Sequence, residues 1–236
     1  MPKRYWYIIM TYVIAQLSAL LGVPLLQNMG LSDFDAIAVW SVISFTIATI
    51  IILLMLKPDI KEASMSRDAS GPGGIILWSI AGVFLALFAQ GIAAAIESNI
   101  FGIPPGSENT MGLMEIARES PLFILLPVLF APITEEIIFR KVIFGSIYER
   151  TNFWVAVLFS ALIFGAFHFD FKHMLVYFSM GVVFAFLYVK TKRIITPIVA
   201  HMAMNSFVVV TQYFLDEEDI RRMQEQLETI FIGGLF

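Results

Sequence analysis

The chain is 236 residues long, 58% hydrophobic and 14% charged, with a mean hydropathy of +0.82 and a formal net charge of −4. Soluble domains carry roughly 25% charged residues and no apolar runs of about twenty or more, so a soluble protein is excluded and an integral membrane protein is indicated. No basic surface is available for nucleic acid, and the absence of cysteine excludes disulfides, thiolate metal sites and a cysteine nucleophile.

At this length a single helical domain over residues 1–236 is expected. A short basic start, Lys3 and Arg4, precedes an uncharged first span over residues 5–26, which is too long for the core of a cleaved signal. The second span covers 36–56. A polar, glycine-rich connection leads to a third at 75–96. Residues 97–120 are polar again and hold a short amphipathic stretch at 111–118. The fourth span, 121–150, would reach ~45 Å as one helix, longer than a ~30 Å hydrocarbon core, so tilt or a break at Pro132 is expected. Spans five to seven follow at 152–169, 174–189 and 197–215. From residue 216, Ile220, Met223, Leu227, Ile230 and Phe231 recur at helical spacing among charges, the pattern of an interfacial amphipathic helix. The expected fold is therefore all-α: a polytopic transmembrane bundle of about seven spans plus this C-terminal helix. With the N-terminus cytoplasmic, the inner connections carry nine Lys and Arg. The outer ones carry only Arg118 and Lys172 before the tail, a positive-inside pattern.

Within the apolar spans a few polar residues stand out. The fourth span contains Glu135, Glu136 and Arg140. A charge at bilayer depth costs at least ~2.5–3.5 kcal/mol, so such residues usually face a cavity and carry a function. Glu136 and Arg140, four apart, share a helix face and can pair. Glu135 lies about 100° round and has no partner in its own helix. That asymmetry gives Glu136 to architecture and Glu135 to chemistry. His168 closes the fifth span as a base or water ligand opposite Glu135, or as an interfacial histidine. His201 and Asn205 share one face of the seventh span, where a helix–helix hydrogen bond is the plainer explanation. His173, in the polar turn at 170–173, reads as solvated. Ser160, Ser179, Thr196 and Ser206 read as helix-packing residues, and no span pairs a serine with a lysine base.

Glu135-Glu136-Ile137-Ile138-Phe139-Arg140, then Phe164 to His168, then His201 to Asn205, in this order on three spans, resembles the CPBP family of intramembrane proteases. These are the CAAX prenyl endopeptidases and their bacteriocin-processing relatives. The likeness covers residues 121–214 (the core, 121–215, being the protease unit), and the whole chain looks like a bacterial membrane peptidase of this family. It implies a multi-pass protein of the bacterial cell membrane that cuts a membrane-associated peptide or membrane protein. It further implies that Glu135 and His168 activate a water, that His201 and Asn205 hold the oxyanion, and that Glu136 and Arg140 support them. The likeness favours substrate access from the cytoplasmic side.

No cofactor is expected on the metal-free reading, because Asn is a poor zinc ligand and fits a donor role. The alternative is zinc or another divalent ion held by His168, His201 and Glu135. Straight helices would set His168 near the outer end of span five and His201 near the inner start of span seven, so the two must be brought together. A proton-coupled transporter and a catalytically silent immunity or peptide-binding protein are the rival readings.

Overall fold

The structure, a computed structural model, describes residues 1–66, 68–104, 106–214 and 222. No strand occurs among the described residues. The helices are α1 (Lys3–Asn28), α2 (Asp33–Met65), α3 (Pro72–Phe101), α4 (Glu108–Glu119), α5 (Pro121–Tyr148), α6 (Phe153–Ala166), α7 (Met174–Thr191) and α8 (Ile195–Phe214). Local chemistry sets several of their starts. Oxygens of Ser32, Ser107 and Asn152 accept from the backbone N–H groups of Asp35, Thr110 and Val155, satisfying donors that a first turn leaves open. Pro72 opens α3, and Gly102 at φ 66 ends it, a left-handed cap that favours glycine.

Six helices are long and apolar enough to cross a membrane, and α6 is a shorter apolar helix. Its 14 residues reach only ~21 Å. The fifth expected span is thus a short helix followed by a turn at 167–169, with Phe169 at φ 54. The amphipathic stretch at 111–118 is the middle of α4. The amphipathic helix expected from residue 216 lies outside the described residues.

α1 packs along α2, while α3 packs on α7 and α8, and α6 on α7. α5 threads the middle, touching α1, α2, α4, α6, α7 and α8. Ile8, Ile52, Leu56, Ile137, Phe139, Phe164, Phe184, Leu187 and Met204 fill the core between them. Gly181 on α7 lies so close to Ala161 on α6 that a Cβ would collide, the small-residue contact by which helices approach in lipid. Leu20, Leu21, Phe84, Phe88, Trp154 and Phe207 point outward, as a lipid-facing belt requires.

The bundle has two chemically distinct ends. At one, Asp59 accepts from Arg4 Nε (3.0 Å), Arg4 Nη2 (3.1 Å) and the Tyr5 hydroxyl (2.5 Å), and pairs with Lys141 Nζ at 3.4 Å. Lys192 meets Asp68 there, and Arg193 donates to the carbonyls of Ala63 and Ser70. At the other, Ser120 donates to Asp35, Arg118 to the carbonyl of Gln212, Lys172 to Glu108 and Ser107 to Asp170. α6, short as it is, carries the chain from the first end to the second.

Candidate active site

The site is organised by irregular winding in α5. This element runs as a 3-10 turn (Pro121–Ile124), a π segment (Leu126–Phe130), an α turn (Ala131–Glu135), a second π segment (Glu136–Phe144) and a last α turn. It passes Pro132 without breaking. Ala131 N–H reaches back five residues to the Leu126 carbonyl. The next residue in that register is Pro132, which has no N–H, so the Pro127 carbonyl loses its helical donor. Asn205 Nδ2, from α8, fills the vacancy at 2.9 Å. One amide hydrogen of Asn205 therefore holds α8 to α5, and the second remains for other work.

In the second π segment Glu136 Oε2 lies 3.1 Å from Arg140 Nε, and both side chains are fully buried. Glu136 Oε1 also meets His201 Nδ1 at 2.8 Å. One carboxylate thus ties α5 to α8 and fixes the plane of His201, which stacks on Phe184 with centroids 4.7 Å apart. The guanidinium lies 4.2 Å over the Phe164 ring and 5.2 Å from that of Phe184, cation–π contacts that partly replace water for Nη1 and Nη2, which lack hydrogen-bond partners among the described residues.

Glu135 is different. It is half-buried, makes no side-chain hydrogen bond among the described residues and faces a hollow of about 1210 Å³. His168, His201 and Asn205 line the same hollow. His168 lies within electrostatic reach of Glu135, His201 and Arg140. Its Nδ1 is 2.8 Å from the Phe164 carbonyl, which can only accept, so Nδ1 carries the hydrogen and Nε2 keeps its lone pair. Early termination of α6 settles the expected offset: Phe164 touches both imidazoles, at centroid distances of 4.6 Å to His168 and 6.2 Å to His201.

Three side chains complete the hollow that sequence reasoning missed. Tyr177 stacks on His168 at 4.1 Å and is held by Ser107 and Asn109. Tyr12 of α1, buried, accepts from Gln16 and lies within electrostatic reach of Glu135. Glu97, near the end of α3, accepts from the N–H groups of Leu175 and Val176 at 2.9 and 3.2 Å and meets His173 Nδ1 at 2.8 Å. His173 is thus not solvated, as its polar turn suggested. It is 8% exposed, because a partner 76 residues away draws it inward. The sequence set Glu97 at the start of a polar segment; it is the continuation of α3 to Phe101 that places it inside a helix. Glu97→Ala strands both α7 N–H groups and His173. It should cost about 1–3 kcal/mol, read as a lowered thermal midpoint in detergent, whereas Glu97→Gln keeps an acceptor and should lose less.

Residues 117–207 match the model of the type II CAAX prenyl endopeptidase Rce1-like family. Over its full length the chain is 47% identical to the full length of a Bacillus subtilis (strain 168) protein named "Putative membrane peptidase YdiL". The chain belongs to the Rce1-like CAAX protease family. A second member, the "Membrane-embedded CAAX protease MroQ" of Staphylococcus aureus (strain USA300), is 36% identical over 97% of each chain. The "UPF0177 protein YxdF" of Lactococcus lactis subsp. lactis (strain IL1403) is 28% identical over 64% of this chain and 81% of its own. No solved structure gives a significant match. The family-matched region contains all of Glu135, Glu136, Arg140, His168, His201 and Asn205.

The zinc alternative needs three converging ligands with free donor atoms. Among the described residues no three His, Asp or Glu side chains are grouped to share an ion. His201 Nδ1 and His168 Nδ1 are bonded to Glu136 and to the Phe164 carbonyl, which leaves Nε2 of each ring as its remaining donor atom.

Proposed function

We propose that the chain is an intramembrane endopeptidase that hydrolyses a peptide bond of a membrane-associated peptide or membrane protein through a water activated by Glu135 and His168. One observation carries the reading: an acid that makes no side-chain hydrogen bond among the described residues shares a hollow with two imidazoles and an amide, while its neighbour Glu136 is locked into the fold. Glu135 takes a proton from the water, with His168 Nε2 orienting it, and the hydroxide attacks the scissile carbonyl carbon. The oxyanion accepts from the free Nδ2 hydrogen of Asn205, joined by His201 Nε2 when that atom bears a proton. One such donor is worth ~2.7–4 kcal/mol in other hydrolases. The carbon–nitrogen bond then breaks, and Glu135 returns its proton to the leaving amine.

The test compares membranes holding the wild-type chain with membranes holding Glu135→Gln, reading released peptides by mass spectrometry. Peptides unique to the wild type identify the substrate and its cleavage site. Identical peptide sets would leave a silent peptide-binding protein in place of an enzyme. Because the reading is metal-free, a strong chelator should leave cleavage by the detergent-purified chain at its starting rate. Loss of activity that added zinc restores would instead favour the alternative ligand set of His168, His201 and Glu135.

A further inference from the structure

His168 stands just past the end of a helix. α6 stops at Ala166, and the chain turns through Phe169, at φ 54, before α7 begins at Met174. A side chain on such a turn takes its direction from the rigid elements around it. The Phe164 carbonyl holds the Nδ1 hydrogen at 2.8 Å, and the Phe164 ring meets the imidazole edge-on at 4.6 Å. Tyr177 covers a face of the same ring. The two planes are 26° from parallel with centroids 4.1 Å apart, and Tyr177 is buried.

What holds Tyr177 belongs to a different element. Ser107 Oγ, at the start of α4, donates its one hydrogen to Asp170 Oδ2 at 2.7 Å and accepts from the Thr110 N–H at 3.1 Å. Toward Tyr177 Oη, 3.0 Å away, it can therefore only accept, so the phenol donates. Tyr177 Oη in turn accepts from Asn109 Nδ2 at 3.4 Å. The hydrogen and both lone pairs of Ser107 Oγ are in use, which fixes the direction of every bond in the chain. Beside it, Glu108 meets Lys172 Nζ at 2.6 Å. The first residues of α4 thus clasp the turn behind His168 at Asp170 and Lys172, and they hold the ring stacked on His168 as well. α4 also lines the hollow, through Met111, Leu113 and Met114.

We infer that Tyr177 is a positioning residue for His168 and that the start of α4 sets it through Ser107 and Asn109, so that the helix lining the hollow and the imidazole that orients the water form one mechanical unit. The inference rests on the protease reading for what His168 does, and on geometry alone for how it is held. Both anchors precede residues 117–207, the region that matches the family. Without them the phenol can tilt, the stack loosens, and Nε2 of His168 loses its fixed direction.

The chain has three histidines, so carbon-13 labelling at the imidazole Cε1 gives three signals from the full-length protein in detergent, and His168→Gln identifies the one from His168. A stacked aromatic ring shields the Cε1 proton, so at one fixed pH its resonance in the wild type is expected upfield of its position in Tyr177→Leu. Ser107→Ala, which keeps the ring and removes its anchor, should move the signal part of the way in the same direction. Ser107→Thr, which restores a hydroxyl, should return it. His201, bonded to Glu136 on another helix, is the control for folding, and its signal should stay in place. If Tyr177→Leu moves His201 too, Ser107→Ala alone decides. A His168 signal that does not move while His201 stays in place would overturn the inference. In membranes, Ser107→Ala should also slow release of the peptides unique to the wild type by up to about 10²-fold, the cost of displacing a reacting group by about 1 Å, and Ser107→Thr should restore it. Unchanged release with a moved signal would equally overturn the positioning role. Identical peptide sets from wild type and Glu135→Gln would instead remove the protease reading, and the ring signals would still decide how His168 is held.

Discussion

Glu135→Gln should lower kcat by ~10²–10⁴-fold, the usual contribution of a positioned general acid–base, with KM and the thermal midpoint nearly unchanged. The substitution keeps the shape of the side chain and removes only its capacity to take a proton. Glu135 makes no side-chain hydrogen bond among the described residues, so the fold has nothing to lose. The interaction it supplies exists only while water is being deprotonated or the amine protonated, which is why the effect belongs in kcat. Steady-state cleavage by the purified chain, run beside a melting curve, separates the possibilities. Unchanged kcat would show that another group moves the proton. A lowered midpoint would show that Glu135 belongs to the architecture, as Glu136 does.

The contrast between these adjacent carboxylates was legible before any coordinates, because a helix places neighbours about 100° apart and Arg140 lies on the face of only one of them. The spans were legible for a related reason: lipid demands long uncharged runs, and the runs are there. What could not be read was anything settled by a distant partner. His173 looked solvated because its neighbours are polar, yet Glu97 on another helix buries it. The end of α6 was hidden because 153–167 runs on without a charge, while the helix stops at Ala166 and the chain turns through Phe169. The role of Asn205 was half visible. Its spacing from His201 marked the face, but its bond to Pro127 follows from π winding that hydrophobic periodicity does not encode. Pro127 and Pro132, five apart, hold that information, but only once the winding is known.

Arg140→Met is expected to destabilise the chain by about 3–5 kcal/mol, because it leaves the buried Glu136 charge without its main compensation. Glu136→Leu alone should cost a similar amount by stranding a buried guanidinium. The informative variant is the double, Glu136→Leu with Arg140→Met. Replacing a buried ion pair by apolar groups of similar volume is often neutral or stabilising, so the thermal midpoint should recover most of what either single loses. Activity should not recover. His201 Nδ1 loses the carboxylate that fixes its plane, so the ring that lines the hollow is no longer held in place. Melting curves and cleavage rates on all three variants decide between two reasons for keeping so costly a pair. A double variant that is both stable and active would mean that the pair serves packing alone. A stable but inactive one would mean that the chain retains a buried charge at bilayer depth because an imidazole on another helix must be held still.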